Sequence, residues 1–213
     1  KSSDMGAYVE RLPSIVKPPK RYEMIEIDGS DYTEVEELGY QAYEKTIPIG
    51  FRNSNRDKIH NWLQGEGKLI ISDESDKYYQ ARILEQINYD KDLSFRKSRI
   101  VFTVQPHKYK VDEYETTDLT VINEGTVSSL PRITVYGTGV ISLLINGIKA
   151  CEINITDYIT LDSQLEEAYK DTLDNLQNRS MSGDFPKLEP GPNTIGYIGD
   201  VTTIITLPRS RWI

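Results

Sequence analysis

Asn146-Gly147 lies between two apolar runs, Leu144-Ile145 and residues 148–153. That dipeptide leaves the chain few options. A two-residue turn between twisted antiparallel strands needs positive φ at both central positions, and Asn and Gly tolerate it. The neighbouring sequence keeps the same grammar. Residues 119–122 read as a strand, and Asn123-Glu124-Gly125 as a turn. Residues 132–136 and 140–145 read as two strands parted by Gly137-Thr138-Gly139, and residues 158–161 continue the series. Residues 193–198 and 201–207, joined by Gly199-Asp200, predict another hairpin. Short strands at regular spacing mean a β-sandwich or a barrel.

The first half carries the clearest helix signal, in residues 53–84. Asn53, Ser54 and Asn55 offer side-chain acceptors to the open N–H groups of a helix start. Ile59, Trp62 and Leu63 recur at spacings of three and four, which predicts one buried face. Gly65 suits the left-handed residue after a helix. Residues 68–72 and 78–84 read as strands around a turn at 73–76, with residues 86–89 extending the second arm or pairing next to it. Upstream, Tyr8-Val9 reads as a strand, and Pro13, Pro18 and Pro19 block regular pairing. Residues 22–27 alternate apolar and charged side chains, as a half-buried strand does. Asp28-Gly29-Ser30-Asp31 is turn chemistry, and residues 32–45 read as a loop or exposed strand. Residues 46–51 contain Pro48 and read as an edge strand, whereas residues 99–104 read as a central one. The charged stretch 106–117, with Pro106 and His107, marks the expected boundary between domains 1–111 and 112–213.

Residues 164–177 are ambiguous. Leu165, Ala168, Tyr169, Thr172, Leu173 and Leu176 have helical spacing, which by itself predicts three turns of helix before a loop at 178–183.

The 33 acidic residues against 25 basic ones give a net charge of −8. Such a chain is poorly suited to neutralising phosphates, so stable nucleic-acid binding is not expected. No apolar run approaches the ~20 residues needed to cross a bilayer, so no membrane insertion is expected. There is no signal peptide pattern, and the chain opens on Lys1 rather than Met, as expected of a trimmed start. The single Cys151 allows neither a disulfide framework nor a Cys-rich metal site. His60 and His107 have no ligand set nearby in sequence, and a surface or structural role is expected for both. Asp73-Glu74-Ser75-Asp76 lacks the spacing of a calcium loop. The triplets at Asn154 and Asn178 match the glycosylation pattern, which recurs by chance. No Gly-rich phosphate loop or acid–base pair appears. The expectation is a non-enzyme with no catalytic, cofactor or metal residues. Fourteen Tyr residues are available as interface anchors or as ordinary strand residues.

An ordered set of segments runs nearly the whole length. It comprises Met5-Gly6-Ala7-Tyr8-Val9, residues 56–63, Gly65-Glu66-Gly67-Lys68-Leu69-Ile70, residues 76–82 and residues 101–106. It continues with Asn123-Glu124-Gly125, Pro131-Arg132-Ile133, Gly137-Thr138-Gly139 and Ile145-Asn146-Gly147. It ends with residues 183–186, 188–195 and Pro208-Arg209-Ser210-Arg211-Trp212-Ile213. In order and spacing this set resembles the distal tail proteins of long-tailed, non-contractile (siphovirus-type) bacteriophages and prophages.

The resemblance implies a mainly β protein. Residues 1–111 would form a tail-tube-like β-barrel with one flanking helix that assembles into a hexameric ring. Residues 112–213 would form a galectin-like β-sandwich projecting outward. The protein would join the tail tube to the tail tip or baseplate at the distal end of the virion tail, assembled in the host cytoplasm. Its partners would be the tail-tube, tape-measure and tail hub proteins and, in some phages, a receptor-binding protein. The family starts with one more short strand, so this chain is expected to begin inside the first hairpin. It also makes residues 165–170 a strand and 171–182 a loop, which we adopt over the helical count.

The alternative from another class is a carbohydrate-binding β-sandwich module for cell-wall attachment. Residues 112–213 hold no His, and their one Trp is Trp212, so a galectin sugar site does not carry over. Tyr136, Tyr158, Tyr169 and Tyr197 are the candidate platform residues. Glu34, Glu36, Glu37 and Glu44 are expected to line an acidic channel, and the first domain alone is expected to oligomerise.

Overall fold

The strand pattern of the first half is governed by which alternate side chains leave water. Ile47, Ile49 and Phe51 are buried on one side of a single strand, and Ser98 and Ile100 face them from another. The structure, a computed structural model, describes residues 1–29 and 31–213. The turn expected at 28–31 includes Ser30, which lies outside the described residues. The described chain divides into two compact units, Lys1–Lys108 with Ile213, and Tyr109–Trp212.

In the first unit the strands are β1 (Ala7–Val9), β2 (Lys20–Glu26), β3 (Thr33–Tyr40), β4 (Tyr43–Arg52), β5 (Glu66–Leu69), β6 (Lys77–Arg82), β7 (Asp90–Asp92) and β8 (Phe95–Lys110). The main sheet runs β1-β4-β8-β6-β5, with β7 also on β8. Among the described residues this is an open path, not the closed ring of pairings that a barrel requires. Among the described residues β2 and β3 pair only with each other.

β4 is internal, against the expectation of an edge strand. Pro48 is tolerated there because its backbone faces the end of β1. Its carbonyl accepts from the Glu10 N–H (3.0 Å), and its missing N–H falls just past Val9–Ile49, the last pair of the β1–β4 ladder. Helix α1 (Arg56–Trp62) follows a 3₁₀ turn at Asn53–Asn55. Its start has no side-chain cap; Asn53 Oδ1 instead accepts from Arg96 Nε. Ile59 and Leu63 are buried, but Trp62 is 39% exposed, which overturns the three-residue buried face. Gly65 has φ +82°, and the β5–β6 hairpin follows. Residues 86–89 do not extend that hairpin as a strand. Pro106 and His107, expected in a linker, lie within β8.

In the second unit the strands are β9 (Thr120–Asn123), β10 (Arg132–Ile145), β11 (Ile148–Ile155), β12 (Tyr158–Asp162), β13 (Glu167–Lys170), β14 (Thr172–Leu176), β15 (Met181–Gly183) and β16 (Gly191–Leu207). The order is β14-β13-β12-β10-β11-β15, while β16 pairs with β10 and β9. Asn146 and Gly147 both have positive φ, and β10 turns there into β11. β10 is one strand, not two. It pairs with β12 through Tyr136 and with β11 from Gly139, changing neighbour at its glycines. The Gly199-Asp200 hairpin does not form either. Only Gly199 of that pair has positive φ, so the chain bulges and β16 continues along β10. β13 lies where the strand reading adopted for 165–170 expected it and the helical spacing did not, but the loop expected at 171–182 is overturned: it holds β14 and the start of β15, because residues 172–176 pair back on β13 and residues 181–183 on β11. The core gathers Ile133, Val135, Ile141, Leu143, Ile153, Ile159, Leu161 and Leu188.

Candidate assembly surface

The side chains capable of chemistry each have a defined local setting. His60 is exposed on α1, with Nδ1 3.4 Å from the Tyr89 hydroxyl. His107 meets the edge of Tyr40 at 6.1 Å. Cys151 is 1% exposed, and burial pushes its thiol up to about 11, far from a nucleophile's range. Glu74 accepts from Lys108 Nζ at 2.7 Å. Among the described residues no group of three or more His, Cys, Asp or Glu side chains stands ready for a metal ion. Asn178 is spent on Ala168 N–H and Glu167. Tyr136 and Tyr158 stack on each other at 5.2 Å, and the Tyr158 hydroxyl donates to Asp171. Tyr169 is half-buried and Tyr197 is 41% exposed.

The surface that stands out is the β2–β3 ribbon. A two-stranded ribbon is marginal in water without a packing partner. Here Tyr22, Met24, Ile25, Ile27, Tyr32, Val35 and Leu38 are all exposed. Met24 lies opposite Val35, and Tyr22 opposite Glu37, on one face. Glu23 lies opposite Glu36, and Ile25 opposite Glu34, on the other. The sequence showed the alternation, but it missed that apolar residues occupy both faces of the ribbon, as Met24 and Ile25 do. A strand half-buried in its own domain needs only one apolar face.

The body of the first unit presents a different surface. The outer face of its sheet carries Arg52, Lys97 and Arg99, because these positions alternate along their strands with the buried Phe51, Ser98 and Ile100. Tyr8 and Phe95 are exposed on the same side, and the Tyr8 ring covers Gly50, where a Cβ would come within 2.2 Å of it.

No protein-family model matches the sequence, and no curated protein matches it. A solved structure does. The SPP1 Dit protein, presented as a paradigm of the hub adsorption apparatus of phages infecting Gram-positive bacteria, aligns with a TM-score of 0.68 at 18% identity. The alignment covers 99% of this chain and 95% of that one. The chain has the Dit fold. Structures of the phage p2 baseplate in its activated conformation, with strontium and with calcium, align at TM-scores of 0.45 and 0.42. Both have 6% identity, over 95% of this chain and 90% of theirs. In this Dit fold the exposed ribbon and the sheet that carries the basic outer face both belong to the first unit.

Proposed function

We propose that this protein is a structural distal tail protein of a siphovirus-type phage, a hexameric ring adaptor joining the tail tube to the tail tip or baseplate. The first unit is its tail-tube-like, ring-forming part, and the second is a galectin-like sandwich. Tail-tube, tape-measure, hub and, in some phages, receptor-binding proteins are its partners at the distal end of the virion tail, after assembly in the host cytoplasm. It has no catalytic role. The fold shared with SPP1 Dit over nearly the whole chain supports this reading. The observation that carries it is the unaccompanied β2–β3 ribbon, whose apolar side chains lack cover within one chain. Negative-stain images of the purified protein test it. Six-fold rings are the expected result, and a monomer at every concentration up to the solubility limit would refute it.

The carbohydrate-binding alternative has one feature in its favour, a cavity of about 490 Å³ in the second unit, lined by Asn146, Ser163, Glu166, Asp184 and Phe185 among others. Its amide is already engaged: Asn146 donates to Asn193 and accepts from the Thr194 N–H. A glycan array is expected to show no saturable, competable binding, and such binding would promote this alternative.

A further inference from the structure

Charge divides the first unit in a way that names the ribbon's partner. Residues 20–40 hold 7 acidic and 2 basic residues, net −5. The rest of residues 1–108 holds 15 basic and 11 acidic residues, net +4. Both basic residues of the ribbon are tied within it: Lys20 pairs with Glu37, and Arg21 donates to the Leu38 carbonyl. Glu23 and Glu36 face each other across the ladder, with Glu34 beside them. Like charges directly opposite destabilise a strand pair, a repulsion that cationic groups placed against this face would relieve. None of these three carboxylates has a partner among the described residues.

The sheet's outer face offers the complement. Arg52 and Arg99 are exposed and have no partner among the described residues, and Lys97 is held only by an exposed pairing with Glu10 (3.2 Å). Tyr8 and Phe95 supply apolar area between them. Within one chain the ribbon pairs with none of these strands. We propose that the acidic β2–β3 ribbon of one copy docks on the basic outer face of the β1–β4–β8 sheet of the next, along Arg52, Lys97 and Arg99. This rests on the ring reading above and specifies its contact. The two patches differ, so the contact is head-to-tail, the type that closes into a ring when the rotation permits. Its carboxylate–guanidinium pairs give register and partner choice, and its apolar area holds the contact once formed.

The test uses the full chain. Assembly is followed by mass photometry across protein and salt concentrations, with thermal melting to confirm that each variant folds. Raising sodium chloride from about 50 mM to about 500 mM should weaken assembly, because exposed pairs are screened. The double variants K97E/R99E and E34K/E36K should each remain folded and assemble at least tenfold more weakly. An equimolar mixture of the two should recover assembly as alternating rings, since each ribbon then meets a face of opposite charge, and the chain carrying all four changes should recover it too, since both patches are then reversed. Rings that persist in both double variants would overturn the docking while leaving the ring function standing. No rings from the unmodified chain at any salt concentration would overturn both. Loss in both variants without recovery in the fourfold chain would overturn the pairing of these two patches.

Discussion

Ile59 and Trp62 are three residues apart on one helix, yet Ile59 is fully buried and Trp62 is 39% exposed. Each residue turns the helix by about 100°, so Leu63 falls about 40° from Ile59 while Trp62 falls about 60° to the other side. In a helix of seven residues the core covers only the narrower pair. Ile59→Ala should therefore cost about 2–5 kcal/mol, and Trp62→Ala clearly less, read as urea midpoints. Equal losses would mean that Trp62 is covered. A second residue-scale feature was invisible in sequence. Asp162, 47 positions from Arg209, is 2% exposed and accepts two bonds from its guanidinium at 2.5 and 2.7 Å. Burial opposes the Asp162 charge, but the Arg209 bonds and charge, with the N–H groups of Leu165 and Gln164, outweigh it and hold the carboxyl below its usual range. A depressed folded pKa stabilises the fold above the unfolded value and loses that contribution as pH falls through the folded one. Asp162→Asn should thus be less stable than the parent at pH 7, by about 3 kcal/mol, because it leaves Arg209 without its charge partner. It should also lose less stability than the parent on acidification below about pH 4. Parallel acid-unfolding curves of the two proteins would contradict this.

At the scale of elements, turns were legible where two residues had to share positive φ, and misread where one glycine sufficed. Asn146-Gly147 reverses the chain, whereas Gly199 bends it, because Asp200 keeps ordinary backbone geometry. The pattern of Gly, Thr and Gly at 137–139 looked like a turn for the same reason, yet it lies inside β10, where that strand exchanges β12 for β11. Long-range pairing of this kind leaves no local signature. At Gly137 the constraint is steric: a Cβ would come within 2.2 Å of the Asp200 carbonyl on β16, a backbone atom that cannot swing aside. Gly137→Ala should cost about 1–3 kcal/mol, as overpacking does. Gly196→Ala, whose Cβ would meet Leu144 at an ordinary 3.5 Å, should be close to neutral by the same denaturation measurement. β4 teaches the complementary lesson. Its alternation of Lys45, Ile47, Ile49 and Phe51 put a lysine on the inner face, and the structure buries Lys45 at 4% exposure with Nζ on the Ser14 carbonyl. The period was readable; the Pro48 edge rule outweighed it because the sequence did not show where β1 stops.

At the scale of the whole molecule, the two units differ in how much of their surface one chain can satisfy. The second unit gathers its buried apolar residues in one cluster, and its terminal segments are bound into it. The Glu113 carboxylate accepts from the Ser210 N–H at 2.7 Å, and the Lys110 ammonium pairs with Glu124 at 2.6 Å. Tyr109 is half-buried, and burial raises its hydroxyl pKa even with Arg211 and Arg209 close by. The separation expected at 111–112 would leave Tyr109 and Lys110 on the first fragment, although both belong to the second unit. A fragment that begins at Asp112 therefore loses the Tyr109 ring from its surface and the partner of Glu124. The exposed ion pair is worth at most about 1 kcal/mol, and the partly covered ring about as much again. At roughly 4–8 °C per kcal/mol for a domain of this size, the fragment 109–213 should melt on the order of 5–15 °C above the fragment 112–213. Both should scatter light as monomers, because the β2–β3 ribbon is absent from each. Identical melting temperatures would place the working boundary at 112, and assembly by either fragment would move the ring contact out of the first unit.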